Sequence, residues 1–509
     1  MNSGNKKSNG YLSMKIMLIN SPNEVDESRK NANYSLFPHI GIVQLATRIA
    51  VEFGNRVNIK VLDGGITSLK TIVDEIKLFH PDLVGISVLT PTYKEGLKIA
   101  KVAKSEGAKV LLGDDHAIFF PFEILNNRAY IDFIIANDVG EQPFYELVSA
   151  LYYDTDLSNV CSLTFRKNGC IYNNPTKRYF LLKQNTIPDL AFIENTLDIY
   201  ANKYYEQHGH LHGGRIRAVT MNNARGCENG RVRCSYCSIA DLSVNTGGPH
   251  KHWEMVRQYH DKYNINLFFE VYDSFTASPR YSNSLLETMP GDIKTKIDNG
   301  DIEFMIYARA LGLIKKDNVN KFRKIGVRRV NIGLDSGDKQ MLAAQRKNKT
   351  TDETNLAALK LLNQANMSVH GSFMLGAPGE TIESVENTIK HINECMDNVE
   401  FSSVEVSRLF PLPNSPIWDM MVNNHKPQFY NNTDEIKQNL LKLDIMISDN
   451  KLNELAEKYQ GRDLLNSNEL MPDWYENFTH VEESYVLDKI HQLDTEISSR
   501  NVQTGNNIG

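Results

Sequence analysis

Short aliphatic runs alternate with helix-like segments through the first 150 residues, and this alternation restricts the fold more than any other feature of the sequence. Brief apolar runs are typical of buried strands, and apolar residues at helical spacing indicate amphipathic helices. The alternation indicates βαβ units, so residues 14–150 are predicted to form a doubly wound Rossmann-type α/β domain. The predicted strands are 14–20, 56–62, 82–88, 109–112 and 131–136, and the predicted helices are 38–52, 69–79 and 93–105.

The segments that follow three of these strands, 87–92 (SVLTPT), 113–116 (GDDH) and 139–141 (VGE), are small, polar or glycine-containing. Ligands of doubly wound sheets bind beyond the carboxyl ends of the strands, and glycine permits the close approach of a bulky cofactor. Ordinary strand-to-helix turns have a similar composition, so spacing alone leaves both interpretations open. The candidate cofactor-binding residues at this edge are Ser87, Thr90, Thr92, Gly113, His116, Gly140 and Glu141.

A second series of strands and helices is predicted from residue 216 to residue 415. Six strands with intervening helices indicate a partial (β/α)6 barrel, whose reactive groups should lie at the carboxyl ends of its strands. Residues 151–215 are predicted to be an irregular connector, residues 416–498 a helical C-terminal region, and residues 499–509 a disordered tail. The predicted barrel strands are 217–222, 267–272, 303–307, 329–333, 368–375 and 403–410, and the predicted C-terminal helices are 434–449, 451–460 and 481–498.

The charge balance of the chain gives no general attraction to nucleic acid or to anionic lipid. The 509 residues include 56 Lys and Arg against 62 Asp and Glu, for a net charge of −6. No apolar run approaches the ~20 residues that span a bilayer, and the polar first residues lack the apolar stretch of a signal peptide. We therefore expect a cytoplasmic protein that binds neither a membrane nor long nucleic acid.

Three of the six cysteines lie within eleven residues, in the segment 224–240 (ARGCENGRVRCSYCSIA) directly after the first barrel strand. In a reducing compartment such clustering favours metal binding over disulfides. Three thiolates are one ligand short of a closed tetrahedral zinc site or of a fully ligated cubane, so Cys227, Cys234 and Cys237 would leave one iron of a [4Fe–4S] cluster open. The alternative is a structural zinc whose fourth ligand is a distant histidine: His208, His210, His212 or His250.

At these cysteines the chain resembles the radical S-adenosylmethionine (SAM) superfamily, whose cluster loop has three cysteines with an aromatic residue, here Tyr236, before the last. The resemblance covers about residues 14–415. The first half is similar to the cobalamin-binding domains that are fused to such barrels, through its segments PHIGIVQLA, VGISVLTPTY, LLGDDHA and VGEQPF. The matching barrel segments are 267–275 (LFFEVYDSF), 307–310 (YARA), 333–338 (GLDSGD), 346–350 and 373–381 (FMLGAPGET).

The resemblance implies a role for each matching residue. Cys227, Cys234 and Cys237 would bind a [4Fe–4S] cluster whose open iron receives the methionyl group of SAM. One electron would then cleave SAM to methionine and a 5′-deoxyadenosyl radical, which abstracts hydrogen from the substrate. Asp273 would receive the methionyl amine and Arg309 the methionyl carboxylate, and Asp335 and Ser336 are suited to the ribose hydroxyls. Each of these four residues also fits an ordinary turn or cap.

Two departures from the family pattern affect these expectations. Six residues separate Cys227 from Cys234, where the usual loop has three, and we expect this polar insert (ENGRVR) to bulge outward. The second departure is the missing Asp-x-His-x-x-Gly motif, which supplies the lower axial histidine in many cobalamin domains; His116 is a poor substitute. Radical methyltransferases of this class commonly lack the motif as well. A domain that no longer binds a corrin is the alternative.

The leading functional hypothesis is a cobalamin-dependent radical SAM methyltransferase that acts on a small metabolite or a peptide. The same radical could instead serve cyclisation, rearrangement or oxidation without methyl transfer, and a zinc-stabilised binding protein is a third, distant alternative. The chemistry implies a reducing partner such as flavodoxin or ferredoxin. Trp418, Trp474 and Tyr475 are either pocket walls in the C-terminal region or core residues, and we interpret His370 as a core histidine and residues 376–381 as a strand-to-helix turn.

Overall fold

The computed structural model describes residues 13–23, 36–137, 139–177, 186–209, 212, 214–230, 232–239, 243–315, 317–347, 349–424, 428–500 and 502–504. The chain divides into two compact units, the first formed by Met1–Glu24 with Pro38–Thr196 and the second by Val25–Phe37 with Leu197–Gly509. Within the described residues, no helix is long and apolar enough to cross a membrane.

The first unit contains a seven-stranded sheet with the order β2-β1-β3-β4-β5-β6-β7. Strands β1 to β5 are parallel, and β6 and β7 extend the sheet in antiparallel fashion. The order of its five parallel strands, β2-β1-β3-β4-β5, is one of the two common orders of doubly wound folds. The strands are β1 (Met14–Asn20), β2 (Val57–Asp63), β3 (Leu83–Ser87), β4 (Lys109–Gly113), β5 (Phe133–Ile135), β6 (Leu163–Lys167) and β7 (Cys170–Asn173).

Helices follow the parallel strands as the apolar periodicity predicts. Helix α2 begins where the Ser68 hydroxyl accepts the N–H of Thr71, and it ends at His80, which adopts a left-handed conformation. The core contains the aliphatic residues of β1 together with Ile42, Ala46 and Phe144. The helices are α1 (Ile40–Phe53), α2 (Leu69–Phe79), α3 (Tyr93–Ser105), α4 (Asp115–Phe119), α5 (Pro121–Asn127) and α6 (Glu141–Tyr153).

The segment 151–215 is not the irregular connector that we predicted. It contains the hairpin of β6 and β7, and its last residues include helix α7 (Leu197–His208) of the second unit. The buried strand β6 adds Leu163 and Phe165 to the core of the first unit, whereas β7 is mostly exposed. Short strands of mixed polarity give little periodic signal, which is why the sequence did not indicate this hairpin.

The second unit contains another seven-stranded sheet, with the order β16-β15-β14-β13-β12-β11-β8 and parallel pairing throughout. Six of its strands are those predicted for the partial barrel, and β14 has the predicted bounds. A separate antiparallel pair joins β9 to β10. The strands are β8 (Ala218–Met221), β9 (Ala224–Arg225), β10 (Asn245–Thr246), β11 (Leu267–Glu270), β12 (Glu303–Ala308), β13 (Val327–Asp335), β14 (Ser368–Leu375), β15 (Ser403–Arg408) and β16 (Gln503–Thr504).

Between the barrel strands the chain forms helices α8 to α15. These are α8 (Pro249–Tyr263), α9 (Pro279–Glu287), α10 (Gly291–Asn299), α11 (Ala310–Leu313), α12 (Asn318–Ile325), α13 (Lys339–Ala344), α14 (Asp352–Gln364) and α15 (Ile382–Asn398).

The C-terminal region is helical as predicted, but its boundaries differ. The helices are α16 (Pro416–Val422), α17 (Thr433–Leu441), α18 (Asp449–Tyr459), α19 (Ser467–Phe478) and α20 (Glu483–Ser499). The predicted helices missed α16 and α19, and α19 contains Pro472. The prediction of a disordered tail is wrong for Gln503–Thr504, which pair with β15 as strand β16, and the last five residues lie outside the described part.

Candidate functional site

The loop that carries the three clustered cysteines leaves the sheet after β8 and is closed at its base by two short strands. Strands β9 and β10 pair through Ala224 with Thr246 and Arg225 with Asn245, so the chain enters and leaves the loop at one place. The loop therefore projects from the carboxyl end of the first barrel strand, where reactive groups of such barrels gather.

Gly226, the first residue of this loop, occupies a position that only glycine fits. Its φ is +88°, and a Cβ added there would lie 2.3 Å from the carbonyl oxygen of Ser243. Its N–H donates to Oδ2 of Asp273 at 2.7 Å, which ties the loop to the end of β11. Burial raises the pKa of Asp273, and the hydrogen bond from Gly226 opposes that shift.

The three cysteines are half-buried and unoxidised, they belong to two turns, and Cys234 is near enough to each of the other two to raise its pKa. The N–H of Gly230 donates to the carbonyl oxygen of Cys227 at 2.9 Å, and that of Cys237 to the carbonyl oxygen of Cys234 at 3.1 Å. Burial raises the pKa of the Cys227 thiol to about 12 and that of the Cys237 thiol to about 11. Such thiols ionise when a bound metal supplies the compensating positive charge.

Asn229 donates to two of the three sulfurs. Its backbone N–H lies 3.5 Å from Sγ of Cys227, and its Nδ2 lies 3.3 Å from Sγ of Cys234. The same amide group donates to the carbonyl oxygen of Arg346 at 3.1 Å. Hydrogen bonds to sulfur are the means by which proteins orient and tune cluster ligands. Three thiols, two of them with such donors, fit the ligand set of a [4Fe–4S] cluster.

The insert between Cys227 and Cys234 is predicted to bulge outward, and the structure agrees with this prediction only in part. Asn229 and Arg233 are buried, whereas Val232 is exposed. The guanidinium of Arg233 donates to the carbonyl oxygen of Asn414 at 3.0 Å and lies 4.9 Å from the ring centroid of Phe429. Arg233 therefore anchors the insert to Asn414 and Phe429, which the polar composition of the insert did not indicate.

Three side chains lie beside the cysteine loop: Asp335 and Lys347 are buried, and Tyr236 is half-buried. The hydroxyl of Tyr236 donates to Oδ1 of Asp335 at 2.7 Å, and Nζ of Lys347 lies 2.5 Å from Oδ2 of the same carboxylate. The Asp335 carboxylate and the thiolate charge of Cys234 raise the pKa of Lys347, although burial opposes this shift. The sequence singled out Tyr236 and Asp335 but not Lys347, and only its place in the segment 346–350 could have drawn attention to it.

The other two predicted SAM residues differ in their surroundings. Arg309 is half-buried, and its Nη2 lies 3.5 Å from the carbonyl oxygen of Lys347. The positive charge of Arg309 is also near enough to Cys227 to oppose the rise in the pKa of that thiol. Ser336 is fully buried, and its hydroxyl bonds to the hydroxyl of Thr388 at 2.8 Å and accepts the N–H of Asp338. The structure thus brings Asp273, Arg309 and Asp335 to the cysteine loop and turns Ser336 into the core.

The histidines of the zinc alternative have other surroundings. His208 packs against the ring of Tyr204 with a centroid distance of 5.0 Å, and Nδ1 of His212 lies 3.5 Å from Glu303. His250 lies in the first turn of α8, and His210 is outside the described residues. Across the part of the chain that the structure describes, no three His, Cys, Asp or Glu side chains are grouped as ligands of a single metal ion.

The segment 376–381 is the predicted strand-to-helix turn. It joins β14 to α15, whose N-cap is Thr381. The carboxylate of Glu380 accepts the backbone N–H groups of Gly376 and Ala377, and burial raises its pKa to about 7. Nε1 of Trp474 donates to the carbonyl oxygen of Gly376 at 2.9 Å. Trp474, Trp418 and Tyr475 are all buried, which favours the core interpretation of these aromatic residues.

In the first unit, a hydrogen-bonded group of side chains lies at the carboxyl edge of the sheet. The Ser87 hydroxyl donates to Oδ2 of Asp114 at 2.5 Å, and Nε2 of His39 lies 3.5 Å from the same oxygen. The pKa of His39 is raised by Asp114 and Asp63 despite burial, and that of Asp114 is lowered by His39. The sequence predicted Ser87 here but missed His39, which stands in the segment PHIGIVQLA.

The remaining predicted residues at this edge are partly engaged within the protein. His116 is buried, its Nδ1 lies 3.1 Å from Oγ1 of Thr90, and its ring stacks on Tyr93 with a centroid distance of 4.0 Å. Thr92 bonds to the backbone of Leu89. The other three predicted residues are Gly113, Gly140 and Glu141. A Cβ added at Gly113 would have no atom within 4 Å, and one added at Gly140 would lie 3.8 Å from the side chain of Leu45. Glu141 is buried.

Comparison with known proteins relates this geometry to a family. Residues 221–392 match the radical SAM superfamily. An uncharacterized methyltransferase of Pyrococcus horikoshii is 25% identical over 419 residues, which cover 81% of this chain and 84% of that protein. The anaerobic magnesium-protoporphyrin IX monomethyl ester cyclase of Cereibacter sphaeroides is 24% identical over 332 residues. This match covers 64% of the present chain and about half (51%) of the cyclase.

Among solved structures, the radical SAM methyltransferase TsrM from Kitasatospora setae, determined with cobalamin and a [4Fe–4S] cluster, superposes with a TM-score of 0.62 and 16% identity. The match covers 81% of this chain and 75% of TsrM. These findings confirm the predicted α/β fold class, the resemblance to the superfamily and the enzyme class. A radical SAM enzyme uses a [4Fe–4S] cluster and SAM, so these two cofactors are confirmed at the level of the family.

Proposed function

We propose, starting from the radical SAM domain of residues 221–392, that this protein is a cobalamin-dependent methyltransferase that acts on a carbon atom of a small molecule. The observation that carries the proposal is the cysteine loop, in which three thiols and their amide donors stand at the carboxyl end of the first barrel strand. The similarity to a named methyltransferase over 81% of the chain supports methyl transfer over other radical outcomes.

Cys227, Cys234 and Cys237 would hold the cluster, which, when bound, supplies the electron that cleaves SAM. Asn229 orients the sulfurs of Cys227 and Cys234 through its two N–H groups. Gly226 fixes the entry of the loop against Asp273. Because loop and strand ends are linked by these bonds, the ligands are held in position before the cofactor arrives.

Two charged groups near the loop are suited to the methionyl part of SAM. Arg309 is a half-buried guanidinium, which pairs well with a carboxylate, and the Asp273 carboxylate can accept an ammonium group. Asp335 is held by Tyr236 and Lys347, and we assign it to the support of the loop in addition to its predicted contact with ribose. Ser336 is the least suited of the four, because its hydroxyl is bonded within the core.

Cobalamin, when bound, supplies the methyl group, and we place its site at the carboxyl edge of the first sheet. Open space beside Gly113 and the small side chains Ser87 and Thr90 suit the approach of a bulky ring system. His39, whose pKa is raised by its pair with Asp114, adds a hydrogen-bonding imidazole at this edge. The presence of cobalamin in the TsrM structure supports this assignment.

The substrate in this proposal is a small molecule, and a structure of TsrM with its tryptophan substrate and a SAM analogue supports that class. The chemistry also requires one-electron reduction, for which a flavodoxin or a ferredoxin is the expected donor. A second candidate function is radical chemistry without methyl transfer, and the similarity to an anaerobic cyclase over 332 residues favours it.

The test is the cofactor content and the product mass of the full chain, purified without oxygen. The expected result is iron together with cobalamin, and a product heavier than the substrate by one CH2, because a methyl group replaces a hydrogen. Iron without corrin, and a product of unchanged or hydrogen-depleted mass, would replace the proposal with the cyclase-like alternative. Zinc without iron would contradict both radical SAM functions and would support the third alternative, a zinc-stabilised binding protein.

A further inference from the structure

A cavity of about 410 Å³ lies within the second unit, on one face of the barrel sheet. Its wall includes Arg329, Asn331 and Gly333, which alternate along β13 and therefore share a face. Phe269 of β11 and Glu405 of β15 also line it. Its volume is in the range of small-molecule sites, which are usually apolar with a few placed polar groups.

Arg329 brings a buried positive charge into this wall without a counter-charge. Its side chain is only 7% exposed, and its Nη1 bonds to the hydroxyl of Tyr204. Among the described residues, no carboxylate lies within ion-pair distance of its guanidinium. Burial is the cause that lowers its pKa to about 10, and no neighbouring charge opposes the shift. A guanidinium in a protein interior is costly unless it is paired, so this one calls for an anion from outside the chain.

The facing side chains do not supply that anion. Nδ1 of His370 lies 2.7 Å from the Ser403 hydroxyl, and its Nε2 lies 3.7 Å from Glu405. Burial and the charge of Arg329 lower the pKa of His370 to about 4, so the ring is neutral at pH 7. Glu405 also lines the cavity, but its carboxylate lies beside His370, and burial raises its pKa. His370, interpreted from the sequence as a core histidine, is thus bonded but faces the cavity.

The rest of the cavity is suited to an apolar molecular body. Phe37 and Phe269 pack against each other with ring centroids 5.3 Å apart, and both line the cavity together with Tyr307. Gly333 lies four residues beyond Arg329, roughly 13 Å along the strand. Next to Gly333 are Lys347 and Asp335, the side chains that support the cysteine loop. A ligand held at Arg329 would point its other end toward that loop.

We propose that Arg329 binds the anionic head group, a carboxylate or a phosphate, of a small organic substrate whose apolar body lies against Phe37 and Phe269. This proposal rests on the proposed function, because it treats the cavity as the substrate site of a radical SAM enzyme. It adds the chemical class of the substrate and the residue that recognises it. The guanidinium suits both head groups because its donors match two acceptor oxygens at once.

Calorimetric titration of the full, cluster-loaded chain tests the proposal with phenylacetate, phenyl phosphate and the neutral phenylacetamide as probes. We expect one of the two anions to bind at least tenfold more tightly than phenylacetamide, and the preferred anion identifies the head group. Arg329→Gln should weaken that anion at least tenfold. The matched control is Arg328→Gln, because Arg328 points to the other face of β13 and donates to the backbone carbonyls of Arg323 and Val327. It should leave the affinity unchanged.

Failure of both anions to bind the wild-type chain more tightly than phenylacetamide, or binding of the preferred anion by Arg329→Gln as tight as by the wild type, would overturn the proposal. A loss of SAM affinity in Arg329→Gln as large as the loss for the anion would also overturn it, because the arginine would then serve the cofactor. Iron content, measured on the same samples, reports the proposed function separately.

A second variant guards against misfolding. Arg329→Met removes the charge at similar volume and should unfold at the same or a higher denaturant concentration than the wild type. Earlier unfolding would show that the charge is compensated within the protein.

Discussion

Replacing Gly226 with alanine should remove the cluster from this protein while leaving most of the fold intact. The residue has a φ of +88°, which costs an L-residue about 1–2 kcal/mol. The added Cβ would lie 2.3 Å from the carbonyl oxygen of Ser243, so one backbone segment has to move. Any such movement strains the hydrogen bond from Gly226 to the Asp273 carboxylate, and bonds of this charged kind contribute about 1.5–3 kcal/mol.

Together these effects disfavour the native loop by about 2.5–5 kcal/mol. Because every 1.4 kcal/mol changes an equilibrium by about tenfold, the cluster-binding conformation becomes at least roughly fiftyfold less favourable. The measurement is iron and acid-labile sulfide per chain after anaerobic reconstitution, together with the visible absorbance of the cluster. We expect the Gly226→Ala variant to retain little of either, and to show near-wild-type far-ultraviolet circular dichroism.

Gly248→Ala is the matched control. Gly248 follows the same loop at the start of α8, has a φ of −77°, and has nothing within 4 Å of an added Cβ. It should load the cluster like the wild type. Full cluster content in Gly226→Ala would refute the argument that the backbone at this position holds the cysteines in place.

Three further predictions concern the surroundings of the loop. Lys347→Met leaves the buried Asp335 carboxylate without its cation and should lower the free energy of unfolding by about 3–5 kcal/mol in urea titrations; an unchanged midpoint would contradict the pairing. Asn229→Ala removes the side-chain donor to Cys234 and should shift the cluster potential to a more negative value in a redox titration, and an unshifted potential would count against that bond. The pKa of Glu380 is about 7 in the folded protein, against an ordinary value of 4.5, so its protonated form stabilises the fold at low pH. About 3 kcal/mol of the free energy of unfolding is therefore lost as the pH rises from about 4.5 to about 7. Glu380→Gln should show a weaker loss of stability between pH 5 and pH 8, and a pH dependence equal to that of the wild type would be the contrary result.

The elements that the sequence predicted best are those with a strong local pattern. Strand β14 and helices α2 and α3 have the predicted bounds, because apolar periodicity and nearby turn residues define them within a few residues. The hairpin of β6 and β7 was missed, because β7 is mostly exposed and lacks an apolar run. Strand β16 was missed for a different reason: its two residues become a strand only by pairing with β15, about 100 residues away in sequence.

The residues of the candidate site also fall into two groups, those with a local sequence pattern and those that only the fold brings together. The cysteine motif is local, so its three residues could be identified from spacing and from the resemblance of the surrounding segments. The contacts that support it are not local: Asp335 meets Tyr236 across 99 positions, and Lys347 joins them only in the folded chain. The burial of Arg233 likewise depends on Asn414, which no spacing rule connects to it. In the sequence, Arg329 is one of several basic residues in its segment, and only the structure of β13 shows that its side chain lies on the face that lines the cavity.

The assignment of Cys227, Cys234 and Cys237 as cluster ligands is tested most directly by the formation of 5′-deoxyadenosine from SAM under a strong reductant. Each of the three Cys→Ala variants should lose this activity, and Cys170→Ala, at an exposed position in β7, should keep it. A Cys227→Ala, Cys234→Ala or Cys237→Ala variant that forms 5′-deoxyadenosine at the wild-type rate would contradict the assignment.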